Sequence, residues 1–267
     1  MRTRDHISIS QINTFSMCEL MYFFSYIEGL KIPPKAAMTV GTATHKGVES
    51  MYKGKQQSGK YFISVATDIA RDYIQKDEEH TDWEAISPSG VKELRGVAID
   101  RAVKMVRAYD GSGYAEEVNQ EDIEGIEVKA DLTLKSDKCN TPPHIIGYAD
   151  IVLADRVIDI KTSSRKVSSP NGQHYLQNGF YANAFGKSNS EIHGLSCNAK
   201  GTSAAATEFG VPMIPTQTLY DIIQIFWNKL NQTEASGNWM PTGLTHQWAC
   251  SFCGYGRTGK CPFMMKV

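Results

Sequence analysis

A chain of 267 residues with 41% hydrophobic and 21% charged residues can bury a substantial core within one large domain. Its formal net charge of −1 carries no global signature of a nucleic-acid partner, although a groove needs only a local basic patch. No apolar run approaches membrane-spanning length, and the opening MRTRDHISIS lacks the hydrophobic core of a secretory signal; no membrane partner and a cytoplasmic location are expected. Six cysteines in such a chain argue for metal or cluster ligation over a disulfide framework.

The first 110 or so residues read as largely helical. Ser10 is a natural N-cap for a helix starting at Gln11-Ile12-Asn13, apolar over much of its circumference and ending at Gly29 before Pro33-Pro34. Cys18 lies on it, where a lone cysteine is ordinarily core. A second helix opens at Gly41-Thr42-Ala43-Thr44-His45 and runs to about Tyr52, with Gly54 to Gly59 breaking it. His45 and Glu49 share one face of it, four residues apart. Phe62–Lys76 and Pro88–Tyr109 have helical periodicity, and the acidic DEEHTDWE between them reads as a solvated loop.

From Ile123 the periodicity changes to two. Ile126, Val128, Ala130, Leu132 and Leu134 alternate with polar residues, the pattern of a strand carrying Glu127. The polar insert Ser136–Pro143, with Cys139, reads as a surface turn. Two further strands, Ile145–Leu153 and Val157–Ile160, are joined by the turn residues Ala154-Asp155-Arg156. Alternation places Asp159 and Lys161 on one face, with Ile158 and Ile160 on the other. A turn at Ala154-Asp155 sets Asp150 opposite Asp159; one at Asp155-Arg156 sets it opposite Lys161. Either register collects two carboxylates and an ammonium, a set suited to a hard divalent cation and a water activated beside it. The competing reading is a surface hairpin with ordinary charges, but both faces carry apolar residues, and buried charges need partners.

A loop at 168–172 leads to a helix, His174–Phe185, whose Gln173, Gln177 and Tyr181 form one polar ridge. Strands Ile192–Asn198 and Thr207–Pro212 and a long helix, Thr216–Ala235, follow. The strand–helix–strand passage around Val157–Asn198 implies a crossover between parallel strands. The fold class is therefore mixed α/β (α+β): a mixed central sheet flanked by helices, with a helical region added in front.

The tail carries Cys250-x2-Cys253-x7-Cys261 in a glycine-containing loop ending in Pro262. Three thiols so spaced call for a fourth ligand, with Cys18, Cys139 and Cys197 as candidates. Zinc and an iron–sulfur cluster both accept four thiolates, and spacing does not separate them.

Taken in order, Ser8-x-Ser10, Cys18, Gly41-x3-His45, Gly147-x2-Asp150, Asp159-Ile160-Lys161, Gln177-x3-Tyr181 and the cysteine tail resemble one family over Ser8 to Pro262. They resemble the RecB-like branch of the PD-(D/E)XK nucleases, in particular its iron–sulfur group, which includes the CRISPR-adaptation exonuclease and the AddB nuclease domain. Ala149 stands where the superfamily name has proline, and Glu19 follows Cys18 where many members have proline.

The resemblance implies a single nuclease domain over 1–267: a helical region to about 115, a core over about 120–235, and a cluster-binding tail over about 236–267 joined to Cys18. It implies Mg²⁺ or Mn²⁺ held by His45, Asp150, Asp159 and the Ile160 carbonyl. It implies that Lys161 acts on the attacking water and the phosphate, that Gln177 and Tyr181 contact the scissile strand, and that Cys18, Cys250, Cys253 and Cys261 hold a 4Fe–4S cluster. Cys139 and Cys197 are left as free thiols. The expected activity is a DNA exonuclease preferring single-stranded DNA with a free end, with Tyr148, Tyr175 and Tyr181 available to stack bases. A helicase or recombination protein would be a separate partner, in recombination, repair or phage DNA processing. The alternatives are an endonuclease of the same fold and a non-catalytic DNA-binding or assembly subunit stabilised by a four-cysteine metal site.

Overall fold

The computed structural model describes residues 6–77, 80–84, 94–133, 144–242, 250 and 253–263. The chain forms two compact units, one of Pro33–Ala130 with Tyr148–Ile214, the other of Met1–Ile32, Asp131–Gly147 and Pro215–Val267.

The larger unit is a mixed sheet with helices packed on it. Its strands are the last part of β3 (His144–Leu153), then β4 (Arg156–Ser163), β5 (Asn189–Cys197) and β6 (Ala204–Val211), in that spatial order, with β2 (Ile123–Thr133) also paired to β3. β3 and β4 are antiparallel with Ile151 opposite Ile158 and Val152 opposite Val157, the register of a turn at Ala154-Asp155. β4 and β5 are parallel, as the intervening helix α6 (Gly172–Phe185) requires, and β5 and β6 are antiparallel. Three helices, α3 (Ala36–Ser58), α4 (Ile63–Lys76) and α5 (Arg95–Asp110), bury Val48, Met51, Tyr52, Ala70, Ile74, Met105 and Val106 together with Ile151, Ile158, Ile160 and Leu195 of the sheet.

Several elements differ from the sequence expectation. Helix α3 does not stop near Tyr52; it runs 23 residues through Gly54 to a left-handed Gly59 (φ 72°). Gly54 serves packing there, since a Cβ would lie 3.1 Å from the Lys60 carbonyl oxygen. The acidic stretch after α4 is not simply solvated. Thr81 is buried against α3, its hydroxyl 2.6 Å from that of Thr39, and the Asp82 N–H donates to the Pro34 carbonyl. Helix α5 begins at Arg95, and the predicted start at Pro88 lies outside the described residues. β6 begins at Ala204, three residues early, because Cys197, Ser196 and Leu195 pair with an alanine run of low strand propensity.

In the smaller unit, β1 (Ile7–Ser8) pairs in parallel with Ile145 and Ile146 at the start of β3, a strand too short to show periodicity. Helix α1 (Ile9–Met17) is capped by Ser8, not Ser10: the Gln11 N–H donates to Ser8 Oγ, and the Ser8 N–H to Gln11 Oε1. The expected continuous helix breaks at Cys18, which is extended (φ −164°, ψ 115°), before α2 (Glu19–Tyr22) and a π-helical turn, Phe23–Ile27. Helix α7 (Thr216–Ser236) buries Leu219, Ile223, Phe226 and Leu230. Phe15 meets Phe226 edge-on at 5.2 Å, and Tyr22 stacks on Trp239 at 6.1 Å, so aromatic contacts dominate this core. Among the described residues no helix is long and apolar enough to cross a membrane.

Gly47 sits where α3 meets α4 and α5: a Cβ there would lie 2.6 Å from Val106 Cγ2 and 3.0 Å from the Ala66 carbonyl oxygen. Gly47→Val is expected to lower stability by about 1–3 kcal/mol, the range for overpacking a filled core, read as a shifted midpoint in urea unfolding.

Candidate functional site

Strand β4 carries the centre of the site in the larger unit. Asp159 is only 2% exposed. Lys161, two residues on and therefore on the same face, places Nζ 2.7 Å from Asp159 Oδ2. Apart from that ion pair, the buried oxygen has no hydrogen-bond partner among the described residues. Asp150 lies on β3, one residue before the Ile151–Ile158 pair. Its Oδ2 accepts the Ile160 N–H at 2.7 Å, so a side chain takes the place of a ladder bond. Its Oδ1 is 3.5 Å from Nδ1 of His45 on α3.

Gly41 explains how α3 reaches the sheet. A Cβ at Gly41 would lie 2.8 Å from Thr162 Oγ1 on β4, so the glycine permits a close approach one turn before His45. From α6, Gln177 Oε1 accepts from Lys161 Nζ at 2.9 Å, and Gln177 Nε2 donates to the Tyr181 hydroxyl at 3.1 Å. The structure therefore brings together His45, Asp150, Asp159, Ile160, Lys161, Gln177 and Tyr181.

The electrostatics are asymmetric. Burial opposes the charged form of Asp150, but His45, the Ile160 N–H and Lys161 outweigh it and hold the carboxyl below its usual range. Burial and the Asp150 charge push Asp159 up despite Lys161. Burial alone would lower His45, yet Asp150 holds it above the ordinary imidazole range. Burial also raises the Tyr181 phenol.

Glu127 takes no part in this group. It is exposed, has a left-handed backbone (φ 54°) and pairs with Lys46 at 2.8 Å. Tyr148 is exposed and Tyr175 half-buried. His174, three residues before Gln177 on α6, was not expected; burial and Lys161 hold it below the ordinary imidazole range. Its spacing from Gln177 was the available signal.

A buried carboxylate oxygen met only by the Lys161 ammonium, a second carboxylate and an imidazole supply the donor chemistry that a divalent cation takes. A family model described as the PD-(D/E)XK nuclease superfamily matches residues 6–258. The chain belongs to that superfamily. Its activity class is thus metal-dependent nuclease. A comparison with curated proteins finds none that matches. Among solved structures the nuclease is similar to one described as "Crystal structure of SSO0001", with 15% identity over 96% of each chain and a TM-score of 0.40.

The smaller unit of the nuclease holds the cysteines. Cys18, Cys250, Cys253 and Cys261 line one pocket with the apolar side chains of Met17, Leu20, Met21 and Phe24. The Thr242 N–H points at Cys18 Sγ (3.5 Å), and the backbone N–H groups of Tyr255 and Gly256 at the Cys253 sulfur. Tyr255 is the second residue of the short helix α8 (Gly254–Arg257); its hydroxyl donates to the Leu30 carbonyl at 2.7 Å and lies 2.9 Å from Ser25 Oγ. Burial and the neighbouring thiols push Cys250 and Cys253 up. Thiols that raise one another's pKa while backbone donors aim at them fit a cationic metal group. Cys197 lies in the sheet core, and Cys139 is outside the described residues.

Since Asp150 holds the His45 pKa up, Asp150→Asn is expected to move the imidazole titration to lower pH in ion-free protein. Histidine NMR across pH 5–9 reads the shift.

Proposed function

We propose that this nuclease is a DNA exonuclease of the RecB-like branch, acting on single-stranded DNA with a free end in recombination, repair or phage DNA processing. The observation that carries the reading is the convergence of His45, Asp150 and Asp159 with Lys161 on one face of β3 and β4. A binding module has no need for a lysine beside two carboxylates. The continuous family match over both units supports reading the chain as a single nuclease domain.

In this reading His45 Nδ1, Asp150 Oδ1, Asp159 Oδ2 and the Ile160 carbonyl hold Mg²⁺ or Mn²⁺. When bound, that ion supplies Lewis acidity toward a phosphate oxygen and lowers the pKa of a water. The Ile160 N–H fixes Asp150, so its free oxygen faces His45. Gln177 takes one of the three ammonium donors of Lys161, leaving others for the attacking water and the phosphate. Tyr181 holds the Gln177 amide so that its carbonyl, not its NH₂, faces Lys161. Tyr148, exposed on β3, offers a stacking surface for an unpaired base.

We assign Cys18, Cys250, Cys253 and Cys261 to a structural 4Fe–4S cluster that joins the N-terminal helices to the tail. The apolar pocket and the N–H donors aimed at sulfur support it.

Asp159→Ala and Lys161→Ala are each expected to cut cleavage of end-labelled linear single-stranded DNA by about 10²–10³-fold or more, with unchanged circular dichroism. EDTA should abolish cleavage, and circular single strands should resist it. Undiminished cleavage by either variant overturns the assignment, and degraded circles make the enzyme an endonuclease. Anaerobically purified protein should show the broad visible absorbance of an iron–sulfur cluster, lost in Cys18→Ser; a colourless protein containing one zinc per chain would reassign the pocket.

A further inference from the structure

The opposite face of the same sheet carries a second group of metal-ligand side chains. In the parallel pairing of β4 with β5, Ile160 lies beside His193 and Lys161 beside Gly194. His193 therefore projects from the face of Ile160, away from Asp159 and Lys161. Glu191 shares that face two residues earlier, and Glu208 lies directly across from His193 on β6. His193 Nε2 is 3.2 Å from Glu191 Oε2 and 3.8 Å from Glu208 Oε2, and all three ligand atoms fall within 4.8 Å of one another.

We propose that Glu191, His193 and Glu208 form a second cation site, taking a divalent transition-row ion of the zinc type. One imidazole nitrogen faces two carboxylates, so at most one proton serves two anions. The separations of 3.2 and 3.8 Å bracket the ligand–ligand edge of a tetrahedral site. That edge is about 3.3–3.6 Å for bonds of about 2.0–2.2 Å. Octahedral magnesium would need edges of only about 2.8–3.0 Å.

The surroundings are those of a held ligand. His193 is 2% exposed, and its other nitrogen, Nδ1, is 2.8 Å from the Tyr109 hydroxyl on α5, itself 2.7 Å from the Tyr52 hydroxyl. A fixed partner on the far nitrogen sets the ring's orientation and aims Nε2 at the carboxylates. The second oxygen of Glu191 is paired with Arg156 Nε at 3.0 Å. Glu208 is 44% exposed and gives a way in, with water as the fourth ligand. Because Glu191 and His193 belong to β5 and Glu208 to β6, an ion here clips the two strands together across their side chains as well as their backbones.

This site is independent of the nuclease reading and is tested by location. Anomalous difference maps from crystals of the full chain soaked in Zn²⁺ should show a peak bonded to His193 Nε2 and both carboxylates. In Glu208→Gln, whose altered side chain is partly exposed and leaves the core intact, that peak should vanish. Peaks at Asp159 and at the cysteines, read in the same maps, should persist. Equilibrium dialysis should lose one zinc per chain in the same variant. A map of the parent protein without that peak, or dialysis with unchanged stoichiometry in Glu208→Gln, would overturn the proposal.

Discussion

A carboxylate placed inside a sheet must be met by cations or by protons, and Asp159 is such a carboxylate. Its position follows from the alternation of β4, which sends Ile158 and Ile160 into the helical core and Asp159 and Lys161 the other way. The rest of the site answers to that burial. Lys161 supplies one positive charge from the same face, while Gln177 on α6 holds its ammonium in place. Asp150 adds repulsion that pushes Asp159 up, while the Ile160 N–H and His45 hold Asp150 itself as the anion. Gly41 belongs to the same account, because a bulkier residue would keep α3, and His45 with it, away from β4.

The cysteine pocket applies the same physics to softer donors. Thiols crowded in an apolar pocket push one another toward the protonated form, and backbone N–H groups aimed at sulfur push the other way. The break of the helix at Cys18 is a local cost: the residue leaves the helical conformation between α1 and α2. That break turns an otherwise core-type cysteine toward a pocket shared with Cys250, Cys253 and Cys261. The Tyr255 hydroxyl, bonded to Leu30 and Ser25, tethers the tail to the first helices apart from any metal.

Much of the larger unit was legible because its strands obey strict alternation. The pair Asp159/Lys161, the parallel crossover through α6 and the Gln177–Tyr181 ridge all follow from periods of 2 and 3.6. The turn left two registers open, and only the cross-strand pairing selects the one that sets Asp150 toward Asp159. The failures have physical causes. Gly54 reads as a helix breaker but is there for the close approach of Lys60. Ser8 and Ser10 are equally plausible caps until Gln11 is seen to bond back to Ser8. β1 is two residues long, with its partner almost 140 residues away in sequence, so nothing local announces it. Glu191, His193 and Glu208 are scattered over two strands, and only the β5–β6 register joins them.

The two faces of the sheet differ in the kind of charge they hold. On the Asp159 face, two carboxylates shift in opposite directions: Asp150 down, where His45 and the Ile160 N–H favour its anion, and Asp159 up, where burial and Asp150 disfavour it. In the ion-free protein the proton thus goes first to Asp159, the position a divalent cation would neutralise, so proton and ion compete for one oxygen. On the His193 face the imidazole is already oriented by Tyr109, and Arg156 already offsets part of the Glu191 charge. Glu208 has no share in that arginine, so negative charge remains at a spacing that suits tetrahedral bonding. One sheet can therefore offer a cation site on each face, the two separated by the strands themselves, because alternation forbids a side chain from serving both.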